Sequence, residues 1–202
     1  MIINWYGEGC FKIQTGGLTL ISDPFESSIG LTPPRGKTEI ILKTLTPWPM
    51  EEPADAKTAE EGKVIRGGGE YEIQGIEITG FPISKESNDK FLKTIYRVRW
   101  EELTLVFLGH ISGAPEPVAL EWIDEPDILV LPVEGGHYLS TEAAAKLAKQ
   151  SEASIIVPIF HTSPYTFLKT FGQKAEPQEK FVFRKKDLEK EKGKVILLES
   201  AS

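Results

Sequence analysis

The sequence predicts an α/β protein, of the α+β kind, in which two stacked β-sheets carry helices on their outer faces. Two observations support this fold class. The first half of the chain has paired alternating segments joined by tight turns, as in antiparallel hairpins. The second half has fully apolar runs at 128–131 and 155–159, and a helical pattern follows each run. Hairpins followed by alternating buried strands and helices favour stacked sheets with the helices outside.

A turn between two alternating segments marks each hairpin of the first half. The turns fall at Gly16-Gly17, Gln74-Gly75 and Glu101-Glu102. A short apolar run at 40–42 indicates a further, buried strand. In order, the strands expected in this half are 2–6, 10–14, 18–22, 40–42, 63–66, 70–73, 76–79, 94–100 and 103–108.

The second half alternates helices with strands. Pro117 stands in the first turn of a short helix, where its missing N–H is not needed. Ser140 caps a longer helix that reaches Gln150, with Glu142 in its acidic first turn. Gly172 ends a third helix. In order, the expected helices are 117–123, 140–150 and 165–171, and the expected strands are 128–131, 155–159, 181–183 and 195–198.

Length and composition limit the classes of partner. The 202 residues, 40% of them hydrophobic, suit one domain or two tightly fused halves with a real core. The net charge is −7, and the lysines of 185–194 are interleaved with acidic residues, so nucleic acid and anionic membranes are not expected as partners.

Cys10 is the only cysteine, which excludes an internal disulfide. The start of the chain has no signal-peptide pattern and no apolar run could span a bilayer, so a reducing cytoplasm is expected.

The segment TLTPWPM, residues 44–50, follows the buried strand at 40–42, where chemistry is often located. Its side chains offer nothing that would hold a metal or carry a proton. Pro47 and Pro49 are expected to stop any regular ladder or helix. Trp48 either packs over a pocket or is an exposed contact, and packing is favoured. Residues 51–61 fit a weak helix or an exposed loop.

All three histidines, His110, His137 and His161, fall in loops that follow expected strands. One interpretation is a metal site completed by oxygen from Asp23, Glu8 or Glu134, since imidazole and carboxylate suit zinc, iron or manganese. The other is three unrelated loop or cap histidines. This second interpretation is favoured because no pair has tight ligand spacing such as HxH.

Three other side chains have alternative roles. Cys10 could be a thiolate nucleophile near a histidine, but a small buried hydrophobic residue is favoured. Asp23, before Pro24, could support a site or form a turn. Glu70 could bind a ligand, but a solvated strand residue is favoured.

Several segments, taken in order, resemble the metallo-β-lactamase-fold hydrolases, in particular the compact branch of zinc-dependent hydrolases related to ascorbate-phosphate lactonases. The resemblance covers nearly the whole chain. It implies a single domain over 1–202 with a four-layer αββα sandwich and a site at one edge of the two sheets. The matching segments are INWYGxxCF (3–11), IxDPF (21–25), GxGEYEI (67–73), TIY (94–96), FLG (107–109), LPVxGG (131–136) and IVP (156–158).

The metal-binding motif of that family does not carry over by an ungapped reading. Residues 44–50 stand where the family has its THxHxDH loop, and none of the side chains at the ligand positions can bind zinc in this way. A further family histidine falls near Lys85, the bridging aspartate becomes His110, and the last histidine becomes Phe160, one residue before His161. The early Gly-His motif becomes Gly7-Glu8. The residues at the ligand positions of the loop are Leu45, Pro47, Pro49 and Met50.

The expected function is therefore that of a pseudoenzyme, which keeps the hydrolase fold and binds a small ligand or a protein partner without a cofactor. The alternative is a lactone or phosphoester hydrolase with a relocated zinc, iron or manganese site built from His110, His161 and a carboxylate such as Asp23. A third hypothesis is metal-free chemistry by Cys10 or Glu8 with His110. Asp23 and His110 are the catalytic candidates. The candidate ligand-binding residues are Glu8, Asp23, Trp48, His110, His137 and His161.

Overall fold

The structure is a computed structural model that describes residues 1–25, 30–50 and 62–201. Two large β-sheets and a small ladder make up most of it. The strands are β1 (Ile2–Gly7), β2 (Cys10–Thr15), β3 (Leu18–Ser22), β4 (Ile40–Lys43), β5 (Leu45–Pro47), β6 (Lys63–Arg66), β7 (Gly69–Ile73), β8 (Ile76–Pro82), β9 (Phe91–Trp100), β10 (Leu103–Phe107), β11 (Ile128–Pro132), β12 (Ile155–Ile159), β13 (Pro177–Gln178), β14 (Phe181–Val182), β15 (Lys194–Val195) and β16 (Leu197–Leu198). The helices are α1 (Pro117–Ile123), α2 (Thr141–Gln150), α3 (Tyr165–Phe171) and α4 (Lys185–Leu188), with a 3-10 turn at Ser84–Glu86.

The six-stranded sheet has the order β14-β1-β2-β3-β4-β6, and the other large sheet has the order β15-β12-β11-β10-β9-β8-β7, with β5 added on β9. Both large sheets are mixed: β3, β4 and β6 run parallel to one another, as do β10, β11, β12 and β15, and the other pairings are antiparallel. All three predicted hairpins are confirmed. In one turn, Gln74 and Gly75 both have positive φ, as a two-residue hairpin turn requires.

Strand β11 shows how the layers pack. Ile128 and Val130 point into the core between the two sheets, whereas Leu129 and Leu131 point into a second core beneath the helices. The alternation follows from the two-residue period of a strand, and both faces are apolar because both are covered. Helices α1, α2 and α3 contribute to the second core, so they form a layer outside the larger sheet. No helix among residues 1–25, 30–50 and 62–201 is long and apolar enough to cross a membrane.

The predicted helices and most predicted strands lie within a residue or two of the observed elements. The side chain of Ser140 accepts a hydrogen bond from the Ala143 N–H, and Gly172 ends α3 in the left-handed region, both as predicted. The turn at Ser84–Glu86, strand β13 and helix α4 were not predicted. Residues 51–61, expected to be a weak helix or an exposed loop, lie outside the described residues.

The expectation that Pro47 and Pro49 exclude a regular ladder was wrong at Pro47. Leu45–Pro47 forms β5, which pairs antiparallel with β9. Proline is tolerated here because β5 is bonded on one side only, so a missing N–H can face away from the ladder. This short pairing holds the start of the proline-containing loop against the larger sheet. At one edge of the sandwich, the loops that follow β3, β4, β10, β11 and β12 meet.

Candidate functional site

At this edge a chain of hydrogen bonds joins Asp23, Thr44 and His110, which follow β3, β4 and β10. The carboxylate of Asp23 accepts the Thr44 backbone N–H at 2.7 Å on Oδ1 and the Thr44 hydroxyl at 2.5 Å on Oδ2. The same hydroxyl oxygen lies 2.9 Å from Nδ1 of His110. Thr44 therefore connects the two predicted catalytic candidates, although they are far apart in the sequence.

The single hydrogen of the Thr44 hydroxyl determines the tautomer of His110. When that hydrogen is donated to the Asp23 carboxylate, the hydroxyl oxygen can only accept from Nδ1–H of His110. The other ring nitrogen, Nε2, then carries a lone pair. Because His110 lines a cavity, this nitrogen is an acceptor available to a bound molecule.

Burial changes the protonation of the two residues at the ends of this hydrogen-bond chain, Asp23 and His110. It raises the pKa of Asp23 to about 6, against the hydrogen bonds from Thr44 and the nearby Lys43 ammonium, which lower it. Burial also lowers the pKa of His110 to about 4, and the charges of Lys93 and Lys43 act in the same direction. At neutral pH His110 is therefore uncharged and acts as an acceptor rather than as a cation.

Aromatic rings form the wall next to His110. The His110 ring lies 4.7 Å from the Phe160 ring and 6.0 Å from the Tyr138 ring, centroid to centroid. Tyr138 and Phe160 stack on each other at 4.2 Å with nearly parallel planes. The rings keep water away from one face of the imidazole, consistent with the burial that lowers its pKa.

These residues line a cavity of about 240 Å³, here called the His110 cavity. Three of its lining residues, Glu8, Asp23 and Phe160, have positive φ angles of 49°, 37° and 51°. Such angles cost on the order of 1–3 kcal/mol for a non-glycine residue and concentrate at functional sites. The lining residues are Glu8, Gly9, Asp23, Pro24, Phe25, Lys43, Leu45, His110, Tyr138 and Phe160.

A second cavity, of about 350 Å³, adjoins the first and is here called the Trp5 cavity. It shares Glu8, Tyr138 and Phe160 with the His110 cavity, so the two cavities are neighbours, and together they are here called the edge cleft. The lining residues of the second half are Trp5, Gly7, Glu8, Leu31, Glu134, Tyr138, Phe160, His161, Thr162 and Ser200.

The predicted ligand-binding residues are distributed unevenly around this edge. Glu8, Asp23 and His110 line the same cavity, and His161 lines the adjoining one. His137 is exposed and lines neither half of the cleft. The three histidines thus do not share one cavity.

Trp48 belongs to a different surface. It is 47% exposed, and it lines a third cavity, of about 500 Å³, with Met50, Lys43 and Arg66. Lys43 and Leu45 line both this cavity and the His110 cavity. Trp48 thus lines a cavity and is also partly exposed, so neither of its two expected roles is excluded.

The two other side chains with open roles are placed as favoured. Cys10 is fully buried, and burial raises the pKa of its thiol to about 12, so it remains protonated at neutral pH. Glu70 is exposed on β7.

Three site residues were not predicted from the sequence: Lys43, Thr44 and Tyr138. The Thr44 hydroxyl shows that residues 44–50 do carry a proton-bearing group, contrary to expectation. Its signal was available, since the threonine is the one residue of the family's THxHxDH pattern that this chain retains. Lys43 is the last residue of β4, and its ammonium group donates to the Pro24 carbonyl oxygen at 2.8 Å. Tyr138 follows His137 and lines the cleft in its place.

The loop that carries His110 is held by a buried ion pair. Glu86 accepts the backbone N–H groups of Ser112 and Gly113 at 2.6 and 2.7 Å. Lys93 donates to the same carboxylate at 2.9 Å, and both side chains are nearly buried. Hydrogen bonds and the Lys93 charge hold the pKa of Glu86 below its usual value in spite of its burial.

The donor atoms at this edge do not fit the dinuclear metal centre implied by the family resemblance. Leu45 and Pro47 belong to β5, and Met50 lines the cavity that contains Trp48. None of the three side chains supplies an oxygen, nitrogen or thiolate ligand. Both carboxylate oxygens of Asp23 are bonded to Thr44. Within residues 1–25, 30–50 and 62–201, no three His, Cys, Asp or Glu side chains are arranged to hold a metal ion.

Comparison with known families supports the resemblance seen in the sequence. The profile of the family described as the beta-lactamase superfamily domain matches residues 2–160. No curated protein sequence is significantly similar to the chain.

Solved structures show the same fold. A Thermotoga maritima protein assigned to the Zn-dependent hydrolases of the metallo-β-lactamase superfamily has a TM-score of 0.80 at 22% identity, with 98% of this chain and 97% of that one covered. Igni18, a metallohydrolase from the archaeon Ignicoccus hospitalis, has a TM-score of 0.62 at 15% identity, covering 91% and 99%. The metallo-β-lactamase fold protein YhfI from Bacillus subtilis has a TM-score of 0.62 at 10% identity, covering 98% and 95%. The predicted metallo-β-lactamase-like sandwich is confirmed.

Proposed function

This chain belongs to the beta-lactamase superfamily, and from that premise we propose that it is a non-catalytic member that binds a small molecule in the edge cleft without a metal ion. The superfamily membership accounts for the sandwich and for the position of the cleft at the sheet edge. It does not assign an activity to this chain, because function depends on the side chains of the site rather than on the fold.

The observation that carries the proposal is the bonding of Asp23, Thr44 and His110 to one another. A metal site needs its carboxylate and imidazole groups to point at a common ion. Here the Thr44 hydroxyl lies between the two groups and is hydrogen-bonded to Oδ2 of Asp23 and to Nδ1 of His110. Asp23, Thr44 and Nδ1 of His110 thus satisfy each other, and Nε2 of His110 is left for a ligand.

The remaining lining residues suit recognition of a small polar molecule. Lys43 supplies a cation, Glu8 an anion and neutral His110 an acceptor, while Tyr138 and Phe160 supply apolar area. Small-molecule sites commonly combine a mainly apolar wall with a few fixed polar groups. The strained backbone at Glu8 and Phe160 is a further sign that this wall is shaped for a ligand.

A hydrolysis assay tests the proposal. Purified protein, incubated with zinc, iron or manganese, is assayed on lactone, phosphodiester and β-lactam substrates, beside His110→Ala and His137→Ala variants. His137 is the matched control because it is exposed and lies outside the cleft. We expect no difference in turnover between the native chain and the two variants.

Metal-dependent turnover that survives in His137→Ala and disappears in His110→Ala would overturn the proposal. That outcome would support the alternative hydrolase, in which His110, His161 and a carboxylate hold the metal.

A further inference from the structure

The Trp5 cavity differs in chemistry from the His110 cavity beside it. Four of its lining residues are aromatic: Trp5, Tyr138, Phe160 and His161. Two others, Glu8 and Glu134, are carboxylates, and no lysine or arginine is among its lining residues. The His110 cavity, in contrast, contains Lys43. The Trp5 cavity is therefore lined by two carboxylates with no lysine or arginine beside them, whereas the His110 cavity has Lys43 together with Glu8 and Asp23.

We propose that the Trp5 cavity binds the ammonium group of a small organic cation, with quaternary or methylated amines preferred. This inference rests on the proposed function, since it names the chemical class of the ligand that the edge cleft takes. Aromatic faces attract cations through the ring quadrupole, and they also pack against methyl groups on nitrogen.

The aromatic part of the site is organised in two ring pairs. The Trp5 and His161 rings lie 5.5 Å apart, tilted by 43°, and the Tyr138 and Phe160 rings stack at 4.2 Å. Trp5 is oriented by its indole N–H, which donates to the Glu8 backbone oxygen at 2.9 Å. Burial lowers the pKa of His161, so its ring is neutral at pH 7 and does not compete with a bound cation.

The two carboxylates lie close to this aromatic wall. Glu8 and Glu134 both help to raise the pKa of the Tyr138 phenol, after burial, which is the largest cause. Glu134 is fixed by the Thr162 backbone N–H, which donates to Oε2 at 2.6 Å. Within the described part of the chain neither Glu8 nor Glu134 forms an ion pair. Their charge is thus available to a ligand.

An ammonium group suits this cavity better than an anion or a neutral molecule. Two carboxylates beside an anion would repel it, and a neutral molecule could form hydrogen bonds with them but would gain no attraction between opposite charges. Since Glu8, Tyr138 and Phe160 also line the His110 cavity, a ligand anchored by its ammonium group can extend toward Nε2 of His110.

Isothermal titration calorimetry with a matched pair of probes tests the inference on protein freed of metal by chelation. Choline and 3,3-dimethylbutan-1-ol have the same shape, but only choline carries the ammonium charge. We expect choline to bind about tenfold or more tightly than the neutral alcohol. The double variant Glu8→Gln/Glu134→Gln should lose about tenfold in choline affinity. Glu70→Gln/Glu72→Gln is the control, because it removes two charges from exposed positions on β7.

Equal affinity for the two probes, no choline binding, or the same loss in both double variants would overturn the inference. Thermal unfolding of each variant shows whether it is folded, and Glu8→Gln alone replaces the double variant if the latter is not. Metal-dependent hydrolysis would overturn the proposed function and leave the probe comparison intact. Failure of the probe comparison alone would leave a metal-free cleft with a ligand of another class.

Discussion

The Thr44 hydroxyl contacts both Asp23 and His110. The protonation of these two residues affects the free energy of unfolding in opposite directions. The pKa of Asp23 is about 6 in the folded chain against an ordinary 3.8, so the folded state holds this proton longer and the free energy of unfolding falls as pH rises from about 4 to 6. The pKa of His110 is about 4 against 6.5, so its contribution rises with pH over about 4 to 6.5. The two contributions largely cancel in the native chain.

Single substitutions should expose each contribution. In Asp23→Asn the free energy of unfolding should rise from pH 4 to 7 by about 2 kcal/mol more than in the native chain, because only His110 then titrates. In His110→Gln it should fall by a similar amount over about pH 4 to 6. Urea unfolding at pH 4, 5, 6 and 7 measures both profiles. Profiles parallel to that of the native chain would show that Asp23 and His110 have ordinary pKa values.

Thr44→Val and Thr44→Ser separate the hydroxyl from the shape of the side chain. Thr44 is buried, so valine leaves Oδ2 of Asp23 without its donor and should lower the free energy of unfolding at pH 7 by about 1–3 kcal/mol. Serine keeps the hydroxyl and should lose less. Chemical unfolding measures the difference, and equal losses in the two variants would mean that the hydroxyl bridge has no net effect.

The loop after β10 brings His110 to Thr44 through a glycine that no other residue can replace easily. Gly109 has φ of +57°, and a Cβ built on it would overlap the Thr44 side chain. Gly109→Ala should therefore destabilise the chain by about 2 kcal/mol more than Gly75→Ala. Gly75 is the control because its φ is +78° but nothing lies within 4 Å of the added Cβ. Equal losses in thermal or urea unfolding would show that the overlap relaxes without cost.

The Glu86 ion pair holds the far side of the same loop. Glu86→Gln leaves Lys93 buried without its counter-charge, so a loss of about 1–3 kcal/mol is expected, with faster hydrogen exchange at the Ser112 and Gly113 amides. Glu116→Gln breaks the exposed Lys85–Glu116 pair and should cost less than about 0.5 kcal/mol. Unchanged amide exchange in Glu86→Gln would mean that the carboxylate does not hold the loop.

Elements whose signals are local were predictable from the sequence. The hairpin turn at Gln74-Gly75, the cap at Ser140 and the end of α3 at Gly172 depend on residues within a few positions of each other. Strand β5 was missed because its partner β9 lies far along the chain, and pairing at an edge overrides the local effect of proline.

The same distinction applies to the site. Asp23 and His110 were named as candidates from their place after strands, and both line the edge cleft. Their connection through Thr44 was not predictable, because it depends on the distance between loops 21 and 66 residues apart in the sequence. The burial that makes His110 neutral depends likewise on packing that no local pattern encodes.

At the scale of the whole molecule, a metallo-β-lactamase sandwich places five strand-end loops at one edge, and the described residues of those loops line a cleft. One half of the cleft presents neutral His110 with Lys43, and the other presents aromatic rings with two carboxylates. The proposed function thus requires a cleft that binds its ligand without metal.

The most direct test is the metal content of the purified chain, measured by elemental mass spectrometry after incubation with zinc, iron and manganese and then desalting. If the cleft works without metal, the native chain should hold no more metal than a buffer blank treated in the same way, and it should not differ from His110→Ala. Stoichiometric metal in the native chain that is lost in His110→Ala would contradict the proposed function.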